Sequence, residues 1–271
     1  MPQLSQREFR SLVLAVNAAL KESDAIILHY LHRARANRKS DGSEVTVADR
    51  KAEKLLRVLL RAAWPEDVVF GEEYGGELAR RGRCWLIDPI DGTASYVLGM
   101  PMFGSLLSLL IDGEPVFGCI HLPALKETTY AAVGHGCWLS RDGGKARRVR
   151  VAQPRPLSEA KVGMTAVKEH SWLERPGGRA VMDLAQQVGR LRMVGDCVQY
   201  ALLCRGVLDA AIDPFMKPWD IAPLVPCVLE AGGTISDLNG ETSGLIERES
   251  IVAASCAPLQ REITRKTQRA S

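Results

Sequence analysis

The chain is organised around one nine-residue stretch, Trp85-Leu86-Ile87-Asp88-Pro89-Ile90-Asp91-Gly92-Thr93. Its apolar start predicts a short buried strand that ends on a carboxylate, Asp88. Pro89 is expected to stop this strand, because proline has no N–H for the hydrogen-bond ladder. A second carboxylate, Asp91, follows three residues after Asp88 and comes directly before a glycine and a hydroxyl. The stretch therefore predicts a strand end that carries two acids.

Two carboxylates at one strand end repel each other and lose hydration, and a bound cation is the usual relief for that cost. Ligand sets made only of oxygen favour hard ions such as Mg²⁺ or Mn²⁺. The pair Asp88 and Asp91 therefore indicates a candidate metal site. A plain Asp-Gly turn at Asp91-Gly92 is the alternative reading of the same residues.

The size and charge of the chain favour a globular protein without a nucleic-acid partner. Its 271 residues can form one large domain or two modest ones, and the net charge is only +3. The basic cluster at 147–150 and the basic tail at 265–269 are short. We expect them to be solvated surface and a frayed chain end.

Cysteine usage and hydropathy predict a cytoplasmic protein. The seven cysteines are an odd number and form no C-x-x-C pair, so we expect reduced core residues rather than zinc ligands or disulfides. The N-terminus is polar and lacks a signal-peptide core. The sequence has no apolar run of roughly 18 residues, so no membrane span is expected.

The chain divides into two halves of different pattern. Residues 1–152 predict long amphipathic helices followed by a meander of strands, an α+β arrangement with a mostly antiparallel sheet. Pro154 and Pro156 indicate a boundary near residue 152. Residues 153–271 alternate strands and helices, which is typical of an α/β half.

Three further acids stand at positions where chemistry is possible. Asp49 lies in the first turn of a helix that Thr46 can cap, and its simplest role is a favourable interaction with the helix dipole. Glu72 follows the predicted strand Val68–Phe70, and a solvated loop is its alternative. Asp220 precedes an apolar helix and has the position of an N-cap. Adjacent strand ends would bring Glu72 beside the two aspartates.

With these residues in view, the chain resembles the inositol monophosphatase superfamily, which includes histidinol-phosphatases and relatives of fructose-1,6-bisphosphatase. Four segments carry the resemblance, in order along the chain: Val45-Thr46-Val47-Ala48-Asp49, Gly71-Glu72-Glu73, Trp85 to Thr93, and Trp219-Asp220-Ile221-Ala222 with Glu230-Ala231-Gly232-Gly233. The resemblance implies an α/β (α+β) fold, a layered αβαβα sandwich of the inositol monophosphatase/fructose-1,6-bisphosphatase type. It also implies a homodimer.

The resemblance further implies roles at the matching positions. The implied metal ligands are Glu72, Asp88, the Ile90 carbonyl, Asp91 and Asp220, holding two or three Mg²⁺ ions, or Mn²⁺. The implied catalytic residues are Thr93 and Asp49, which orient the attacking water, together with Glu72. The backbone N–H groups of Gly92 and Thr93 would bind the phosphate. Hydrolysis of a phosphate monoester needs charge neutralisation and an in-line nucleophile, and such a site supplies both.

The substrate is expected to be a small phosphate ester, and three segments resemble the histidinol-phosphatase branch. They are Gly195-Asp196-Cys197 with Tyr200, the stretch from Asp213 to Asp220, and the spacing around Gly99-Met100-Pro101. Asp196 and Asp213 are expected to contact the substrate, and an added carboxylate suits the ammonium group of histidinol phosphate. Asp196 is equally suited to cap a helix. Ala94 departs from that branch, which often has arginine there.

The expected function is a Mg²⁺-dependent phosphomonoesterase, most specifically a histidinol-phosphatase of histidine biosynthesis. An inositol-1-monophosphatase or broad-specificity sugar phosphatase is the alternative, followed by a 3′-phosphoadenosine phosphatase. A metal-binding regulatory module without turnover is a third class, which the complete set of implied ligands disfavours. No nucleic-acid recognition motif is evident.

Overall fold

The computed structural model describes residues 2–33, 35–39, 44–165 and 178–268. The helices in these ranges are α1 Gln6–Tyr30, α2 Val47–Ala63, α3 Thr93–Val97, α4 Gly178–Ala185, α5 Asp196–Cys204, α6 Pro218–Glu230 and α7 Ala257–Gln268. The strands are β1 Asn37–Arg38, β2 Glu44–Val45, β3 Val68–Gly71, β4 Arg83–Asp91, β5 Gly104–Ile111, β6 Glu114–Leu122, β7 Glu127–Ala132, β8 Gly136–Arg141, β9 Arg147–Val149, β10 Lys161–Met164, β11 Arg190–Met193, β12 Ala210–Asp213, β13 Thr234–Ser236 and β14 Ile251–Ala254.

The first large sheet has seven strands in the sequential order β3 to β9. Only the pair β3–β4 is parallel, and all other neighbours are antiparallel. The predicted meander and mostly antiparallel sheet are therefore confirmed. The parallel pairing places the end of β3 beside β4, with Gly71 opposite Ile87.

The prediction that Pro89 ends the strand is wrong. β4 continues to Asp91, and its register with β5 shifts between Asp88, opposite Leu106, and Asp91, opposite Gly104. β4 thus carries one extra residue across this interval, which is the geometry of a β-bulge and a place where a strand tolerates proline. Residues three apart on a regular strand point to opposite faces. The extra residue lets the two aspartates share a side.

The second sheet has five strands in the order β11-β10-β12-β14-β13, with β12–β14 and β13–β14 antiparallel. Helices pack in layers around the two sheets. On the outer face of the first sheet, Leu107 packs with α1 and α2, whereas its neighbour Leu106 faces α5 and α6 on the inner face. α4 and α7 cover the far face of the second sheet. The result is the predicted αβαβα order.

Helix α6 connects the two halves physically. It follows the predicted boundary at residue 152, yet Leu224 and Val228 join a hydrophobic core that includes Ile120 of β6 and Ala253 of β14. The approach is close: a Cβ added to Gly118 of β6 would lie 2.0 Å from the Pro223 carbonyl oxygen. The sheets therefore share a core, and the division into two halves at residue 152 stays a prediction.

The expectation of a frayed chain end at residues 265–269 is wrong for the residues that the structure describes there. Residues 257–268 form α7 rather than a frayed tail, because Leu259 and Ile263 are buried against the second sheet. Arg265 and Lys266 lie in its last turn, where cations interact favourably with the helix dipole. Arg269 lies outside the described residues. All seven cysteines are free thiols and six are buried, as predicted. In the described ranges, no helix is both long and apolar enough to cross a membrane.

Candidate active site

Three carboxylates meet at the centre of the candidate site. One oxygen each from Asp88, Asp91 and Asp220 lies within 4.8 Å of the other two. The first two stand on either side of the bulge in β4, and Asp220 comes from the first turn of α6. The structure thus brings together three of the five predicted metal ligands as one group, which we call the aspartate group.

Asp220 is not the N-cap that its sequence position allows. The N-cap residue of α6 is Lys217, and Asp220 is the third helical residue. Its Oδ2 accepts a hydrogen bond from the Lys217 backbone N–H at 2.7 Å. This bond fixes the orientation of the carboxylate at the start of the helix, so the local capping role and the place in the aspartate group are compatible.

Burial and mutual repulsion raise the pKa of all three acids. Burial raises the pKa of Asp91 to about 7, and the neighbouring Asp220 adds to the rise, while a hydrogen bond from Cys197 opposes it. The pKa values of Asp88 and Asp220 are also raised, first by burial and then by Glu72. Strongly perturbed acids in one place are typical of functional sites.

The loop after β3 carries Glu72 to the edge of the aspartate group. Glu72 is close enough to raise the pKa of Asp88. Its Oε1 also accepts a hydrogen bond from Lys39 Nζ at 2.7 Å, and the same ammonium donates to Glu73 Oε1 at 2.7 Å. Burial opposes the charge on Lys39, but the two glutamates outweigh it and raise its pKa. Lys39 has no motif around it in the sequence, so its contact with the two glutamates was not predicted.

Asp49 and Thr93 form the expected pair. Asp49 lies in the first turn of α2, where its Oδ2 accepts a hydrogen bond from the backbone N–H of Thr46 at 2.8 Å. Its other oxygen is 3.3 Å from Thr93 Oγ1, which also lies 3.0 Å from the Ile90 carbonyl oxygen. Burial raises the pKa of Asp49 to about 6, against the hydrogen bonds from Thr46. Asp49 therefore completes the capping box of its helix, whose N-cap is Thr46, and also contacts the candidate hydroxyl.

Asp196 lies beside the turn that follows β4. Gly92 has a φ of +85°, and a Cβ at this position would be 2.8 Å from Asp196 Oδ2. Asp196 has a φ of +51°, a conformation that few residues other than glycine and asparagine or aspartate adopt. The N-cap of α5 is Gly195, so the alternative that Asp196 is the cap is wrong.

Helix α5 also contacts the aspartate group directly. The backbone N–H of Cys197 donates to Asp91 Oδ2. This contact was absent from the sequence analysis, because it joins residues 106 positions apart in the chain. Asp213 ends β12 and is buried, and it raises the pKa of Asp220. Both predicted substrate acids therefore border the group.

Comparison with known proteins identifies the family. The sequence pattern of the inositol monophosphatase family matches residues 10–271. This chain belongs to the inositol monophosphatase family. A histidinol-phosphatase of Mycobacterium tuberculosis is 39% identical over 207 residues, which is 76% of this chain and 78% of that protein. A fructose-1,6-bisphosphatase/inositol-1-monophosphatase of Thermotoga maritima is 32% identical over 208 residues, 76% of each.

The fold agrees with solved structures of the family. An IMPase of Thermotoga maritima superposes with a TM-score of 0.83 at 26% identity, covering 96% of this chain and 98% of that one. Members of the inositol monophosphatase family are metal-dependent phosphoric monoester hydrolases, and this chain is therefore an enzyme of that class.

The aspartate group fits the metal requirement of the family. Its donors are carboxylate oxygens, which hard divalent cations prefer. The three acids are partly or fully buried, and their raised pKa values report an excess of negative charge that a cation would relieve. The chemistry of the donor set thus suits a divalent ion.

Proposed function

We propose that this enzyme is a Mg²⁺-dependent histidinol-phosphatase. The observation that carries the proposal is the place of Asp196, whose carboxylate lies beside Gly92 at the turn after the metal-binding strand. A carboxylate there repels a phosphate but attracts the ammonium group of histidinol phosphate. The similarity of this chain to a histidinol-phosphatase supports the same substrate.

We assign Glu72, Asp88, Asp91, Asp220 and the Ile90 carbonyl as metal ligands for two or three Mg²⁺ ions, with Mn²⁺ as a substitute. Ions bound there would neutralise phosphate oxygens and lower the pKa of a bound water. Gly92 and Thr93 offer backbone N–H groups to the phosphate. These assignments are supported by the shared position of the carboxylates and by the order of the four sequence segments.

In the proposed reaction, water attacks phosphorus, and the bond from phosphorus to the ester oxygen breaks. Thr93 Oγ1 accepts a hydrogen bond from the attacking water and passes its own proton to Asp49 Oδ1, 3.3 Å away. The pKa of Asp49, about 6, suits a carboxylate that receives a proton near neutral pH. Glu72 orients the water from the opposite side, and the alcohol leaves with a proton from solvent.

The substrate proposal is tested by phosphate release with Mg²⁺ from L-histidinol phosphate and from myo-inositol 1-phosphate in parallel. We expect a preference of about 100-fold for histidinol phosphate in kcat/KM, roughly 2.7 kcal/mol of differential transition-state binding. A preference for inositol phosphate would overturn the substrate and keep the metal site. Release from neither ester would favour another substrate or a metal-binding module without turnover.

A matched pair of variants assigns the preference to one carboxylate. Asp196→Asn should reduce the preference for histidinol phosphate about tenfold, because the neutral amide no longer attracts the ammonium group. Asp142→Asn is the control: Asp142 also has a positive φ, 50°, and lies in a surface turn with its side chain 73% exposed. Equal preferences in both variants would remove Asp196 from substrate recognition.

We further propose that the enzyme is a cytoplasmic homodimer. The seven free thiols support a reducing compartment, and the family resemblance supports the dimer. Light scattering on the purified protein at micromolar concentration measures the assembly, and a mass equal to one 29.6 kDa chain would contradict it.

A further inference from the structure

Glu53 of α2 is a fully buried acid outside the aspartate group, and no motif of the sequence singles it out. Its Oε1 accepts hydrogen bonds from Arg57 Nε at 2.8 Å and from the Tyr74 backbone N–H at 3.2 Å. Its Oε2 accepts the Glu73 backbone N–H at 2.7 Å. Both carboxylate oxygens therefore have partners, and two of those partners belong to the loop that carries Glu72.

Arg57 extends the contact to strand β3 and to the far end of the loop. Its Nη1 donates to the Val69 carbonyl oxygen at 3.1 Å, and its Nη2 donates to the Gly75 carbonyl oxygen. The loop closes on itself through a hydrogen bond from Gly71 N to Gly75 O at 3.0 Å. The pair of Glu53 and Arg57 thus contacts the strand before the loop, the middle of the loop and its end.

The loop lies directly on the Glu53 carboxylate. A Cβ added to Gly71 would come within 2.2 Å of Glu53 Oε1. The φ of Gly71 is not in the left-handed region, so this glycine is required for space rather than for conformation. Glu72 stands between Gly71, which packs against the Glu53 carboxylate, and Glu73, whose N–H this carboxylate binds.

We propose that Glu53 is a positioning residue that aims Glu72 at the aspartate group and thereby sets the affinity of the site for divalent cations. The inference rests on the proposed function, in which Glu72 is a metal ligand. A buried ion pair gains little net stability over apolar side chains of the same volume, because both charges lose their hydration. The contacts indicate a different role for the Glu53 carboxylate, which binds the backbone N–H groups of Glu73 and Tyr74 and so holds the loop in position. Partners of a metal ligand typically contribute ten- to a hundredfold in affinity.

The test is Mn²⁺ binding by titration calorimetry on the purified, folded full chain. Glu53→Gln keeps the shape but turns one acceptor into a donor, so either the loop N–H of Glu73 or the Arg57 bond loses its partner. We expect the Kd for Mn²⁺ to rise by about tenfold or more, and kcat at saturating Mg²⁺ to fall as well, because a displaced Glu72 orients the water less well.

The matched control is Asp209→Asn. Asp209 is likewise fully buried, accepts a backbone N–H from Lys161 at 2.8 Å, and faces Arg155, but it precedes β12 at the end opposite Asp213. We expect a comparable loss of thermal stability with an unchanged Mn²⁺ Kd. Equal weakening of Mn²⁺ binding in both variants would reduce the effect to general destabilisation and overturn the proposal.

A second variant keeps the proposal testable if Glu53→Gln fails to fold. Gly71→Ala leaves every charge in place and displaces the loop from Glu53, so it should also weaken Mn²⁺ binding. If Glu72→Gln weakens Mn²⁺ binding while Glu53→Gln and Gly71→Ala leave it within twofold of wild type, the positioning role is wrong and the ligand assignment stands. If Glu72→Gln leaves it unchanged, the assignment of Glu72 in the proposed function fails instead.

Discussion

The molecule buries its acids in two contrasting ways. In the aspartate group, Asp88, Asp91 and Asp220 face one another, and burial raises the pKa of each. On α2, Glu53 is buried just as deeply, but an arginine and two backbone N–H groups occupy its oxygens. In the part of the chain that the structure describes, the three aspartates accept backbone N–H groups but form no ion pair, whereas Arg57 neutralises the charge of Glu53.

The difference distinguishes residues suited to bind a ligand, the aspartate group, from a residue that holds the surrounding structure in place, Glu53. Unpaired charge reduces the stability of the fold, so a protein retains it where a ligand supplies the missing partner. A paired buried charge changes the free energy of folding little, and its effect is to fix the positions of the groups that it contacts. Removing an acid should therefore have opposite effects on stability in the two regions, and the following predictions test that contrast in order of expected size.

The largest effect is expected for Asp91→Asn. We expect kcat to fall by about a thousandfold or more, because the proposed metal site loses a ligand. The melting temperature of the metal-free protein should rise, because the change removes repulsion while Asn Oδ1 still accepts the Cys197 N–H. Steady-state kinetics and calorimetry measure the two quantities. Near wild-type turnover, or a lower melting temperature without metal, would contradict the assignment.

A smaller loss is expected for Thr93→Ala. Turnover should fall about 100-fold, because the hydroxyl between the water and Asp49 is gone. Inhibition by inorganic phosphate should change by less than about threefold, since the backbone N–H groups remain. Thr93→Ser is the matched control and should recover most of the rate. A serine variant as slow as the alanine variant would exclude proton relay through this oxygen.

The smallest effect concerns pH and stability without metal. The pKa values of Asp91, about 7, and Asp49, about 6, exceed those of the unfolded chain, so the folded state binds more protons between about pH 4 and pH 7. Its stability must fall as pH rises through that window. Thermal unfolding in EDTA should show a melting temperature several degrees lower at about pH 8 than at about pH 5. Mg²⁺ should restore the melting temperature at the higher pH. A melting temperature that rises with pH would contradict the raised pKa values of Asp91 and Asp49.

Local signals predicted much of the fold. Thr46 caps α2 as expected, and the strand predicted at Val68–Phe70 is present as β3 with one further residue, because capping and apolar runs act over a few residues. The αβαβα order of the layers was predicted from the family resemblance and not from local sequence patterns. The continuation of β4 through Pro89 was not predictable, since a bulge depends on the register with a partner strand.

In the candidate site, too, contacts between residues distant along the chain could not be predicted from the sequence. The acids of the aspartate group were found because each lies in a recognisable segment. Lys39, Glu53 and the Cys197 N–H were missed, because their importance comes from contacts with residues distant along the chain. A buried glutamate four residues before an arginine looks like an ordinary helical ion pair in the sequence.

The position of Asp220 on α6 has a consequence for how the protein matures. Asp88 and Asp91 are synthesised early, whereas Asp220 comes near the end of the 271-residue chain, on a helix whose backbone rests on Gly118 of the first sheet. During synthesis, the emerging first half can present only part of the acid set. The complete set forms once α6 has docked on the first sheet, so the proposed cation site requires both halves to be folded. A chain with α6 misdocked would keep Asp88 and Asp91 but lose Asp220 from the group, so we expect it to bind divalent ions more weakly.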